Sequence, residues 1–555
     1  MEGRRMIMRS SQVLGLLALA ALTSQVSQLT MAPVFGSIPS AVNHQTAILV
    51  TTLLGWGCGT GWRPSWSGKV RYYLAAWAAF IPLLQWMLFR FSGPLGPVRG
   101  PILIGFLSCH TIIIPSTYAA SLLVDDLDLR SSAGASLSSA MEALIPALIF
   151  SFLVQLSKFL LSERGIAVLN ALSPVWIQQS IALGYAATSP EPRILLPVIA
   201  SSALLLWNPR AVSPSQPYLL DSALRAHNWS LVDRQWSNTG YISVLDNIDM
   251  QYRVLRCDHS LLGGEWLLTD QRRKVEGWKV NEPIYAVFEM LEAVRLMELE
   301  TPIISSEAKA LVVGLGIGTA PRALIGHGIN TTIVELDPVV HKFAMKYFEL
   351  PNKHNAVLQD AIGWVSHETR TLSYARSYDY IIHDVFTGGA EPLALFTEDF
   401  IRNLRLLLRS NGVIAINYAG DLSAPLTGQV LNTIDLVFEG QCRIFTDAVL
   451  SQDRDSGPHD EFSNIVVFCR NSAGPITFRQ PNKADLLQSQ SRKHYLFPRP
   501  EMEVEFPLRR DGTPSATDIL KAGEEKQWVS KQAESAIQHW YIMRRVLPDA
   551  VWELY

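Results

Sequence analysis

The first 210 residues are dominated by apolar runs, and the pattern changes sharply after them. The runs lie near 12–32, 43–62, 72–91, 101–123, 139–161, 166–187 and 192–208. A helix needs roughly 20 mainly apolar residues to cross a bilayer. Residues 1–210 are therefore expected to form a helical transmembrane region of six or seven spans, which makes the chain an integral membrane protein with the lipid bilayer as a partner. The last run is short, and the sixth carries Gln178 and Gln179. Arg4, Arg5 and Arg9 ahead of the first run fit a signal peptide, but the runs that follow argue against a purely secretory chain. The same arginines, and Arg63, Lys69 and Arg71 before the third run, favour the cytoplasmic side. Six spans leave the following domain in the cytosol and seven leave it outside; the cytosol is the expectation. Glu142 lies near a helix end and is expected at the interface rather than on a transport path.

Beyond this region the periodicity becomes that of a soluble protein. Residues 211–235, with Pro214 and Pro217 beside Ser213 and Ser215, are expected to form a linker. Residues 236–300 are expected to form a small antiparallel β subdomain and a helix. Alternation over 240–246, 251–257 and 265–269 predicts the strands, with turns at Asp246-Asn247 and Gly263-Gly264. Ile284, Val287, Met290, Leu291 and Val294 then share one face of a helix over 282–298. Residues 301–485 alternate strand and helix. Strands are expected at 310–313, 332–336, 357–358, 380–383 and 413–417, with helices at 319–328, 338–349, 361–371 and 396–409. This spacing predicts a doubly wound, Rossmann-like α/β domain of the methyltransferase type. Segments 441–446 and 463–469 would close its sheet as an antiparallel pair. Residues 486–555 form a polar C-terminal extension with a helix near 523–546.

Charge and cysteine content narrow the chemistry. A net charge of −3 gives no basis for a nucleic-acid partner. The mean hydropathy of +0.15 averages over two unlike halves. The five cysteines, Cys58, Cys109, Cys257, Cys442 and Cys469, include no CxxC pair. Neither Cys109-His110 nor Cys257-x-His259 has metal-site spacing, so no metal is expected. The thiols are expected to stay free, buried or lipid-facing, in a reducing compartment.

The candidate site lies at the carboxyl ends of the predicted strands. Gly314-Leu315-Gly316-Ile317-Gly318 joins a strand to a helix, where glycine permits a tight turn and close approach of a ligand to the main chain. Glu335 ends the next strand, at a position where a carboxylate can accept both hydroxyls of a ribose. Asp360 and Ala361 follow the third strand, where the aspartate can accept an adenine amino group. Asp384 follows the fourth. The third glycine comes one place earlier than in the GxGxxG fingerprint, and Thr319 occupies the expected position. That spacing favours a sulfonium nucleoside over a dinucleotide.

Several stretches resemble the spermidine/spermine synthase family. They are Arg256-Cys257-Asp258-His259-Ser260-Leu261-Leu262-Gly263-Gly264, Asn281-Glu282-Pro283-Ile284-Tyr285, Val334-Glu335-Leu336-Asp337-Pro338 and Leu395-Phe396-Thr397-Glu398-Asp399-Phe400. The likeness covers about residues 236–470 and points to a membrane-fused form. It implies an aminopropyltransferase of polyamine biosynthesis that uses decarboxylated S-adenosylmethionine, with Glu335 on the ribose, Asp360 on the adenine and Asp384 facing the incoming amine. It also implies a small-molecule acceptor and a homodimer. Asp258, Tyr285 and Glu391 are candidate substrate contacts. Two departures matter: the glycine loop carries Ile317 where the family has an aspartate, and the loop after Asp384 carries Thr387 where the family has a second one. Losing two acids weakens a polyamine pocket, and loss of the first removes a charge that would repel the carboxylate of intact S-adenosylmethionine. Methyl transfer from that donor to a small or lipophilic acceptor is thus the alternative to aminopropyl transfer. A non-catalytic nucleoside-sensing membrane protein is a further one.

Overall fold

The computed structural model describes residues 2–125, 139–162, 165–189, 191–211, 218–371, 376–386, 389–447, 462–506 and 518–555. Thr387, Gly388 and the side chain of Glu142 lie outside the described residues. The chain divides into two units, Met1–Tyr241 with Trp540–Tyr555, and Ile242–His539.

The first unit is helical. Three helical stretches, Met6–Phe35, Ser67–Phe89 and Ser92–Asp125, are long and apolar enough to cross a membrane, and Pro146–Leu161 and Leu195–Leu205 are shorter apolar helices. The expected six or seven spans therefore reduce, among the described residues, to three of full length. The reasons are local. The run 166–187 breaks at Leu172 and Ser173 into helices Ile166–Ala171 and Pro174–Ala187. The helix His44–Gly61 dilutes its apolar residues with glycine and threonine. Gln178 and Gln179 are buried, and their side-chain amides donate to the carbonyls of Ala78 and Ala79. That satisfies amide donors which a lipid-facing position would leave bare. The expected linker 211–235 also holds structure, a helix Tyr218–Arg225 and strand β1, Trp229–Ser237.

The second unit carries two sheets. Strands β2 (Gly240–Asn247), β3 (Tyr252–Cys257), β4 (Ser260–Trp266) and β5 (Glu282–Pro283) run antiparallel in that order. The third strand lies earlier than the expected 265–269. Asp258 and His259 form the two-residue turn between β3 and β4, and Asp258 has φ 46°, as such tight hairpins demand.

The larger sheet contains β6 (Lys309–Val313), β7 (Asn330–Glu335), β8 (Asn355–Leu358), β9 (Tyr378–His383), β10 (Leu408–Asp421), β11 (Cys442–Thr446), β12 (Phe462–Arg470) and β13 (Glu503–Val504). Its order is β13-β11-β12-β10-β9-β6-β7-β8. Strands β6 to β10 are parallel, and β12 lies antiparallel between β10 and β11. The helices that matter for the site are α1 (Thr319–Gly326), α2 (Pro338–Tyr347), α3 (Ala361–Thr371), α4 (Glu398–Leu407), α5 (Pro425–Val437) and α6 (Val529–Val546). Apolar side chains pack both faces of the sheet. Leu311, Ile381, Ile414 and Val467 belong to one core, and Ala310, Val312, Ile382 and Val466 to the other. This alternation along each strand follows from burial on both faces. The expected doubly wound domain and small antiparallel subdomain are both present.

One cysteine expectation fails. Cys442 and Cys469 stand opposite each other in the β11/β12 register and form a disulfide, while Cys58, Cys109 and Cys257 are free. Neighbouring strands bring together thiols that lie 27 residues apart, a pairing that their spacing does not reveal.

Residues 489–492, part of the expected polar extension, lock onto the segment before β6. Arg492 makes a two-pronged bond with Glu292, at 2.8 and 2.7 Å, with both side chains buried. Ser489 and Ser491 donate to Glu282 and Glu289. Removing one partner of a buried pair strands the other charge. Arg492→Ala is therefore expected to lower stability by about 3–5 kcal/mol. The exposed i,i+4 pair Arg402–Glu398 should cost at most about 0.5 kcal/mol when cut by Arg402→Ala. Thermal unfolding of the two detergent-solubilised variants checks both.

Candidate functional site

The strand order reverses between β6 and β9, and in open α/β sheets a ligand crevice opens at that point. Val313 pairs with His383, so the next residues, Gly314 and Asp384, face each other where the strands end. The Asp384 N–H donates to Val313 O at 2.8 Å, and the Gly314 N–H to Val334 O at 2.9 Å. A Cβ on Gly314 would fall 1.9 Å from the Asp384 carbonyl oxygen, and one on Gly316 would fall 2.5 Å from that of Leu262. Both glycines have positive φ, 87° and 54°. Backbone thus passes against backbone where any side chain would block it. The loop then turns through Gly318, φ 87°, into α1.

Glu335 ends β7 beside this loop. Its Oε1 accepts the Asp337 N–H at 2.7 Å, and the carboxylate also takes backbone N–H groups of Leu315 and Leu336. Desolvation outweighs these bonds and raises its pKa to about 7. Asp337 caps α2 by accepting from Val339 and Val340. Asp360 follows β8 but is exposed. Its Oδ2 accepts the Gly363 N–H at 3.0 Å, so it caps α3, whose first residue, Ala361, is buried.

Asp384 is half-buried, and its Oδ1 accepts from Asn417 Nδ2 at 2.9 Å. Burial raises its pKa to about 6, against the lowering effect of that bond. Glu391, seven residues on, is buried, and its Oε1 accepts the Ala419 N–H at 2.8 Å. Burial and the nearby Asp384 charge push its pKa well above the usual carboxyl range. Asn417 and Ala419 are two apart on β10, so one strand holds both acids.

The other candidates are placed differently. Asp258 lies in the β3/β4 turn, where its carbonyl accepts from Arg256 at 2.7 Å. Tyr285 follows β5, and burial raises its hydroxyl pKa to about 12. Ile317 is buried, and a Cβ on Gly263 of β4 would fall 2.9 Å from its Cγ1. An apolar side chain therefore fills the place of the family's glycine-loop acid.

Asn417 and α6 carry no sequence signal toward this site. Gln532 Nε2 of α6 donates to the Glu391 carbonyl at 2.9 Å. The His539 ring packs 4.9 Å from that of Phe386, and its Nε2 meets Ser260 Oγ at 3.1 Å. The expected polar extension is thus one wall of the loop that follows Asp384. The glycine cradle and an acceptor carboxylate at the end of β7 fit an adenosyl group. Among the described residues no group of three His, Cys, Asp or Glu side chains is arranged to hold a metal.

Comparison with known proteins follows this geometry. Residues 286–449 match the spermine/spermidine synthase domain family. An N-terminal histidine N-methyltransferase of Emericella nidulans is 41% identical over 546 residues, covering 97% of this chain and 96% of that protein. A polyamine aminopropyltransferase of Vibrio vulnificus is 34% identical over 111 residues, 20% of this chain and 37% of that one. The crystal structure of a probable spermidine synthase from Corynebacterium glutamicum aligns at 16% identity and a TM-score of 0.37, covering 52% of this chain and 95% of that one. The spermidine synthase domain is therefore present, but the likeness that runs end to end is to the methyltransferase. This chain is a transferase, and it belongs to the family of the Emericella nidulans N-terminal histidine N-methyltransferase.

Proposed function

We propose that this protein transfers a methyl group from S-adenosylmethionine to a nitrogen of the histidine that begins a polypeptide chain. The observation that carries this reading is the end-to-end relationship, helical unit included, to a protein named for that reaction. Ile317 supports it, because an apolar residue there removes an acid that would repel the carboxylate of the intact donor. The rival, aminopropyl transfer to an amine, draws on the matched domain at 286–449. In our reading residues 301–485 hold the catalytic domain and the helices of 1–210 anchor it in a membrane. Gly314, Gly316 and Gly318 cradle the donor, Glu335 takes the ribose, and Asp360 with Ala361 borders the adenine.

The donor supplies an electrophilic methyl carbon on a sulfonium. The histidine nitrogen forms the new N–C bond while the C–S electron pair returns to sulfur, and one proton must leave the histidine. Asp384, at the strand end nearest the glycine loop, accepts that proton and orients the nitrogen. Positioning of two bound reactants supplies much of the remaining acceleration.

We also place the soluble domain on the non-cytosolic side of the membrane, replacing the cytosolic expectation. Disulfides such as Cys442–Cys469 persist in oxidising compartments and are rare in the cytosol.

Calorimetry on the full chain in detergent should give tighter binding of S-adenosylmethionine than of its decarboxylated form, with methylation of a histidine-initiated peptide. The opposite preference, with transfer to a diamine, would move the assignment to aminopropyl transfer. The acidic limb of kcat/KM should rise with pH through about 6, because Asp384 accepts a proton only when ionised. The limb belongs to Asp384 and Glu391 together, since they interact. Asn417→Ala removes a bond that favours the ionised form, so the limb should move to higher pH. Asp384→Asn should cut turnover by about 10²- to 10⁴-fold and leave donor binding in place. Maleimide treatment of unreduced, denatured protein should label the three thiols of Cys58, Cys109 and Cys257; labelling of all five cysteines would return the domain to the reducing side.

A further inference from the structure

An enzyme that acts on a chain's first histidine must reject internal ones. The group that differs is the free α-ammonium, which is an amide everywhere else in a chain. Sites discriminate strongly when a buried polar group is left unpaired by the wrong substrate.

Glu391 has that character. Only 6% of the residue is exposed. One carboxylate oxygen is fixed by the Ala419 N–H, and the other, Oε2, is buried with no hydrogen-bond partner. On the same strand Asn417, also 6% exposed, gives its N–H to Asp384 and keeps its Oδ1 buried without a partner. Among the described residues, burial, one hydrogen bond each and, for Glu391, the Asp384 charge act on these acids, and no basic side chain does. A buried carboxyl with a free oxygen and no cation is costly to the fold, and a ligand that brings the cation offsets that cost. Residues 389–391 are also held: Gln532 of α6 donates to the Glu391 carbonyl, and Gly389 lies against the His539 ring.

We propose that Glu391, beside Asp384 and with Asn417 Oδ1, is the receptor for the free α-ammonium of the acceptor's first residue. It determines specificity for a chain terminus, while Asp384 serves the transfer itself. This assignment rests on the N-terminal-histidine reading above.

The test uses the full chain in detergent and two peptides that share every atom except the α-amine: one begins with histidine, the other with the des-amino imidazolepropionyl group. Wild type should bind the free-amine peptide about 10- to 100-fold more tightly, the range expected for a hydrogen bond to a charged group. Glu391→Gln should lose that margin, raising KM for the free-amine peptide by a similar factor, while S-adenosylmethionine binds as before. Glu391→Asp, which keeps the charge, should retain part of the margin. Equal binding of the two peptides by wild type would overturn the assignment, as would an undiminished margin in Glu391→Gln. If that variant misfolds, shown by lost donor binding, the wild-type comparison alone decides. A wild-type enzyme that binds donor but methylates no histidine-initiated peptide overturns the acceptor reading itself and this assignment with it, a pattern distinct from methylation without amine preference.

Discussion

Two backbones meet at the point where the sheet reverses direction, and the site depends on that meeting. Gly314 passes the Asp384 carbonyl so closely that a single added carbon would sit at 1.9 Å. The approach lets β6 and β9 end level with one another, which sets the glycine turn beside Asp384. Gly316 repeats the constraint against Leu262, so β4 of the small sheet covers the same turn. A side chain at either position would push apart the elements that form the crevice, and no change in the acids would compensate.

Around that turn the carboxylates are sorted by what surrounds them. Glu335 has backbone N–H partners, Asp384 has one side-chain amide, and Glu391 has one backbone N–H and a bare oxygen. All three are raised by desolvation, whereas Asp360, in solvent, serves as a helix cap. Partly satisfied acids at one edge of the sheet suit a cationic ligand, and the donor and acceptor we propose would each bring a cation. Ile317 puts a packed apolar side chain against Gly263 where the spermidine synthase family carries an acid, and methyl transfer is the reading we propose from it.

Much of this was legible from residue order. Strand ends in an α/β fold are local features: an apolar run of four or five residues stops, and the next residue lies at the rim. Glycines 314, 316 and 318, Glu335 and Asp384 were read in that way, and each lies at the carboxyl end of its strand in the parallel sheet. Asp360 reached the rim but is occupied by Gly363. Span counting went further than the structure supports, because hydropathy averages across Leu172-Ser173 and does not register that Gln178 and Gln179 find carbonyls inside the bundle.

The order of residues by itself determined the two-part build, the parallel sheet and the acids at its edge, because periodicity and strand ends are written in neighbouring positions. Only the tertiary structure decided which groups restrain those acids. Asn417 lies 33 residues from Asp384, Ala419 lies 28 from Glu391, and Gln532 lies 141 from it. The disulfide depends in the same way on β11 and β12 becoming neighbours. Such contacts exist because strands pair out of sequence order and a late helix folds back, and no local pattern encodes a partner that distant.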